Sequence, residues 1–255
     1  MLLFRRAPFV AALLSLLVPA IGLAETAAQV VARARAYVGD ENSLSSIRSL
    51  RYRGTIEFKD DTGTVVPEAS GTMDMILQKP QQQLMVRTNS RLREAIALDD
   101  LTGWMRVDSL EQPGRSRLKI LDLDELRRLQ ANTFENLAFF RGHEDRGGII
   151  ELRGERTVDG RIALTVAFTH PHGITFLRHF DKQTGRLLLT EMSFGGDVRE
   201  EGELLVNGIR FPKTMRTTGK TKDGKAYSAT VTIEEVEVNK AYAPDLFAVP
   251  LPGVR

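Results

Sequence analysis

The stretch Ile149 to Phe194, IIELRGERTVDGRIALTVAFTHPHGITFLRHFDKQTGRLLLTEMSF, decides the fold. It reads as four strands, Ile149 to Thr157, Ile162 to Thr169, Thr175 to Asp181 and Arg186 to Phe194, each rich in β-branched or aromatic residues. Turn chemistry separates them at Val158 to Arg161, His170 to Gly173 and Lys182 to Gly185. Gaps this short join antiparallel neighbours, because a parallel crossover needs a dozen residues or more.

The same pattern continues in both directions. Downstream, strands are expected over Glu203 to Val206, Ile209 to Thr217 and Tyr227 to Val238, with turns at Asn207-Gly208 and Asp223-Gly224. Val231 and Ile233 face one way and Val236 and Val238 the other, so a bulge is expected near Glu234 and Glu235. Upstream, strands read over Leu50 to Phe58, Gly71 to Gln78, Leu84 to Asn89, Ala95 to Leu98 and Trp104 to Val107. Helical periodicity appears at Thr26 to Val38, where Thr26 and Gln29 have capping-box spacing, and briefly at Ser43 to Arg48. It returns over Leu121 to Phe140, where Asn132 and Glu135 offer a second cap and predict a break near Asn132.

Many strands with few helices make an α+β chain, with connections short enough for one antiparallel meander. A sheet that wide does not stay flat; its twist curls it. Helices can then cover the hollow side, leaving an apolar groove inside.

The N-terminus carries an export signature. Arg5 and Arg6 precede an apolar run from Phe9 to Leu23, and Gly22 and Ala24 occupy the small-residue positions before Glu25. The reading is a signal peptide over residues 1–24, cleaved after Ala24, followed by one domain over 25–255. The run is too short and too interrupted for a good spanning helix. Of 35 Lys and Arg, two lie in that segment, leaving 33 against 33 acidic residues. A mature chain with no net charge lacks the basic surplus that nucleic acid demands. The chain has no Cys, which removes disulfides, thiolate nucleophiles and Cys-based zinc sites.

Catalytic motifs are missing: no G-x-S-x-G elbow, Walker loop, H-E-x-x-H or G-x-G-x-x-G occurs. His170 and His172 in a turn and His179 on the next strand are candidate metal ligands, and the sole basis for a hydrolase or metal-enzyme reading. Solvated turn imidazoles are the plainer alternative, because no acidic residue has ligand spacing. Asp99 and Asp100 read as turn residues, and Glu200, Glu201 and Glu203 as a solvated edge. Trp104, the single Trp, either anchors the core or stacks on an apolar ligand. Met73, Met75, Met85, Met105, Met192 and Met215 are spread over strands and would together suit an adaptable pocket.

Several segments, in order, resemble the LolA/LolB-like family of exported proteins, often described as outer membrane lipoprotein-sorting proteins. They are Ile47 to Gly54 (IRSLRYRG) after the first helix, Gly71 to Pro80 (GTMDMILQKP), Asp100 to Trp104 (DLTGW), Asp181 to Leu188 (DKQTGRLL), Val206 to Pro212 (VNGIRFP), Thr232 to Asn239 (TIEEVEVN) and Leu246 to Pro250 (LFAVP). The resemblance implies a strongly curved antiparallel sheet, an incomplete barrel, closed by helices over an apolar cavity. It further implies a non-catalytic periplasmic carrier of a lipid or of lipoprotein acyl chains, without cofactor or metal. A membrane-bound partner protein is compatible with that role. Strand alternation nominates Met73, Met75, Leu77, Trp104, Phe168, Phe176 and Phe194 as cavity lining. The alternative is a periplasmic protein-interaction or sensor module that recognises its partner by strand addition at a sheet edge.

Overall fold

The computed structural model describes residues 25–221 and 223–250, so the expected signal peptide lies outside the described residues. Among the described residues, three α-helices, α1 (Ala27–Val38), α2 (Glu41–Ser46) and α3 (Leu123–Ala138), accompany fifteen strands. The first meander is β1 (Ser49–Lys59), β2 (Gly71–Gln78), β3 (Gln82–Thr88), β4 (Leu92–Asp99), β5 (Thr102–Ser109) and β6 (Ser116–Ile120). The second begins with β7 (Ile149–Val158), β8 (Arg161–Thr169), β9 (Thr175–Asp181), β10 (Leu187–Met192) and β11 (Asp197–Glu201). It ends with β14 (Thr214–Lys220) and β15 (Ala226–Val238), after a separate hairpin of β12 (Leu204–Val206) and β13 (Ile209–Phe211).

One antiparallel sheet of 13 strands results, in the order β6-β5-β4-β3-β2-β1-β15-β14-β11-β10-β9-β8-β7. The expected single meander is therefore two, joined where the first strand pairs with the last. Long-range pairing of this kind leaves no local signal in a sequence. The joint carries the expected bulge: Arg53 pairs with Glu235 and Gly54 with Ile233, leaving Glu234 as the extra residue. β6 and β7, consecutive strands, end up at opposite edges. The segment between them, which contains α3, must cross the sheet from edge to edge, and this puts a helix over the hollow face.

α3 is continuous, which corrects the break expected at Asn132. A capping box closes its start, with Asp122 accepting from the Glu125 amide at 2.9 Å and the Glu125 carboxylate accepting from the Asp122 amide at 3.0 Å. Asn132 lies one turn before Asn136, whose Nδ2 donates to the Asn132 carbonyl at 2.8 Å inside the same helix. The helix ends at Phe139 and Phe140, both in the left-handed region with φ of 47° and 67°. Arg35 of α1 donates to the freed carbonyls there, to Phe139 at 2.5 Å and Ala138 at 3.3 Å. A cation at this end also complements the helix dipole.

Apolar clusters occupy both faces of the sheet. On the inner face, Leu44 and Ile47 from the α2 region and Leu137 of α3 pack with Leu50, Leu77, Phe211 and Ile233. Val30 and Ala34 of α1 pack with Phe168, Phe176, Phe180 and Phe140. The outer face is covered by the C-terminal segment, where Phe247 meets Ile76, Leu84, Ala97 and Trp104.

Candidate functional site: a cavity between helix and sheet

α3 does not fill the hollow it crosses. A cavity of about 360 Å³ remains beneath it, bounded by β1, β2, β3, β9, β10, β11, β13, β14, β15 and α3. That is at the small end of ordinary ligand pockets, roughly 300–1,000 Å³. On the side of β1 to β3 and β14 to β15 its wall is Tyr52, Met73, Met75, Met85, Met215, Val231 and Ile233. On the side of β9 to β11 it is Phe176, Arg178, Thr190, Met192, Val198 and Glu200, while α3 contributes Asn132, Glu135 and Asn136. Those three share one helix face through i, i+3 and i+4 spacing. Five methionines give the apolar wall thioethers that adjust to an irregular or flexible occupant. Larger grooves lie along α1 and around Lys79-Pro80, but none of their lining residues comes from the inner face of the sheet centre.

The residues nominated from strand alternation separate into four groups. Met73, Met75 and Phe176 line the cavity. Leu77 and Phe168 point to the same side but are fully buried in the helix–sheet packing. Trp104 lies on the opposite face, 5 % exposed, donating its indole N–H to the Phe247 carbonyl at 2.9 Å. Phe194, 38 % exposed, sits past the end of β10 and stacks edge-on to Phe176. Residue alternation fixes a side but not which positions a helix covers.

The expected solvated edge holds for Glu201 and Glu203, which are exposed, but not for Glu200. Asp197 to Glu201 form β11, an interior strand between β10 and β14, and Glu200 turns into the cavity. Charge density concealed a strand, because Val198 is the single apolar residue among Asp197 to Glu201 and one residue shows no alternation. Burial raises the Glu200 carboxyl above its ordinary range, and the nearby Arg178 and Arg186 only partly oppose this.

The three nominated histidines do not converge. His179 bonds Thr165 Oγ1 at 2.9 Å and Glu191 at 3.0 Å, and His172 lies exposed in its turn. His170 instead joins His143, a residue that no local pattern singled out. Both place Nε2 on Glu135 Oε1, at 2.5 and 2.7 Å, while Arg178 Nη1 bonds Glu135 Oε2. Burial works to raise Glu135, but Arg178 and the two imidazoles overcome it and hold the carboxyl far below its usual range. Glu135, His143 and His170 have a spacing that a metal ion would accept. Their surroundings fit an ion pair better. Arg178 already supplies the counter-charge, and His143 Nδ1 is buried without a partner, whereas a ligating histidine almost always donates from its second nitrogen. The cluster therefore fastens α3 to β9 at the cavity wall. Phe140, Phe168 and Phe176 surround the guanidinium, 4.8 to 5.9 Å from its carbon.

No family model and no curated protein sequence matches the chain. Solved structures do. A LolA superfamily protein from Nitrosomonas europaea aligns with a TM-score of 0.57 at 12 % identity, over 89 % of this chain and 99 % of its own. A DUF1329 family protein from Desulfovibrio piger aligns with a TM-score of 0.56 at 12 % identity, over 87 % and 97 %. The chain thus has the fold of the LolA superfamily, an open curved antiparallel sheet with helices over its hollow face.

Proposed function

We propose that the protein is a non-catalytic carrier or binding protein for a lipid or for lipoprotein acyl chains, exported to the periplasm. The observation that carries this reading is the methionine-rich cavity under α3, with strands from both meanders in its wall. Moving one CH₂ of an acyl chain from water into such a space is worth about 0.8 kcal/mol. Ten or so methylenes thus supply useful affinity without a covalent or metal anchor. The export signature at residues 1–24 supports the compartment, and the likeness to a LolA superfamily protein supports the mode of use.

The test is native mass spectrometry of protein purified without detergent. Adducts whose released mass is that of an acyl lipid support the carrier. Protein that stays free of adduct after incubation with long-chain lipids refutes it. The interaction-module reading has one observation in its favour: β6 is an edge strand with every residue exposed, Leu118 and Ile120 among them. Capture of a partner that a β6 proline substitution abolishes, by protein that takes up no lipid, would favour that second reading.

A further inference from the structure

Five ionisable side chains line the cavity: Tyr52, Glu135, Arg178, Glu200 and Arg210. Three are engaged. Glu135 has both oxygens occupied, by two imidazoles and by Arg178. Arg178 spends its charge on that carboxylate, and its Nε is enclosed beyond the reach of an occupant. Arg210 donates to the Tyr37 carbonyl at 2.6 Å and lies 3.4 Å from Glu203.

Glu200 and Tyr52 differ from these. Only burial and distant charges act on the Glu200 carboxyl; no hydrogen bond reaches it. The Tyr52 phenol is raised by burial and then by the charge of Glu200, again with no hydrogen bond between them. They stand on β11 and β1, with β14 and β15 between them in the sheet. The cavity thus holds a carboxyl that needs a donor and a phenol that needs an acceptor, set apart across an apolar floor. Leaving such groups unmet costs free energy that a fitting occupant recovers.

We propose that Glu200 and Tyr52 select the head of the bound lipid, favouring an uncharged acyl lipid with hydroxyl groups, of the acylglycerol class, over a fatty-acid anion. This rests on the carrier reading above and names the chemistry of its ligand. A glycerol hydroxyl donates to Glu200, and an ester or second hydroxyl oxygen accepts from Tyr52. Among the described residues, both guanidiniums of the lining are already paired, Arg178 with Glu135 and Arg210 with Glu203, so an anionic head must compete with those carboxylates and its charge adds to that of Glu135.

The experiment is a one-pot competition at pH 7.5 between 1-monolauroylglycerol, methyl laurate and laurate. The acyl chain is common to all three, and native mass spectrometry reads their relative occupancy. We expect the monolauroylglycerol adduct to exceed laurate at least tenfold and methyl laurate at least threefold. The isosteric Glu200→Gln variant, checked for folding by its thermal transition, replaces the carboxyl by an amide that carries no charge at any pH. It should bring the preference over laurate below about threefold. Laurate or methyl laurate bound as strongly as the glycerol ester would overturn the head-group assignment and leave the carrier intact. An unchanged preference in Glu200→Gln would equally overturn it. Failure of all three lauroyl compounds to bind would remove both readings together.

Discussion

Replacing Arg178 by Met should cost about 3–5 kcal/mol, the range for breaking one side of a buried ion pair. The side chains of Arg178 and Glu135 are 8 % and 2 % exposed, so neither charge has water to fall back on. Without the guanidinium, the Glu135 carboxylate stays buried with only the hydrogen bonds of His143 and His170. For a domain of this size the loss corresponds to a fall in Tm of roughly 6–20 °C. The sign of the pH dependence follows. In the parent protein Glu135 is held low, so its contribution is present above the normal carboxylate range and is lost only as the pH falls through its depressed value. In Arg178→Met the largest lowering influence is gone and burial is left to raise the Glu135 carboxyl, so the folded variant takes up a proton more readily than the unfolded chain and its stability rises as pH is lowered from 8 to 6. Urea unfolding of both proteins at pH 8 and pH 6, with m-values checked for equality, measures this. The double variant Glu135→Leu with Arg178→Met should recover most of the loss, because no charge is left buried. A single-variant loss under about 1 kcal/mol, or one independent of pH, would refute the claim that this pair fastens α3 to the sheet.

The joint between the two meanders gives a second prediction. A Cβ on Gly54 would lie 1.9 Å from the Thr232 carbonyl oxygen, so Gly54→Ala should cost more than about 4 kcal/mol or abolish soluble expression. Gly63→Ala, in an open turn with φ of 81°, should cost no more than about 1 kcal/mol, and chemical denaturation distinguishes the two. Trp104→Phe keeps an aromatic ring but leaves the buried Phe247 carbonyl without its donor, so a loss of about 1–3 kcal/mol is expected in urea titrations. Because Trp104 lies on the outer face, its fluorescence in the parent protein should not move when the cavity fills.

Sequence alone determined the local elements. Period-two alternation and Gly, Asn and Asp turns marked most strands, including β2 over Gly71 to Gln78 and β9 over Thr175 to Asp181 at their observed bounds. The change of face between Ile233 and Val236 placed the bulge, since a one-residue insertion is the local way to reverse side-chain direction. β6 and β11 were hidden, because Arg, Lys, Asp and Glu on exposed or cavity-facing positions erase the apolar rhythm. Only the tertiary structure decided that β1 would find β15 and that α3 would span the sheet as one helix. It alone brought Glu135, His143, His170 and Arg178 together from four separate elements. The reason is range. Alternation and capping act over a few residues and are written in order along the chain. A cavity wall and a buried ion pair depend on distances across the fold, which chain order does not record.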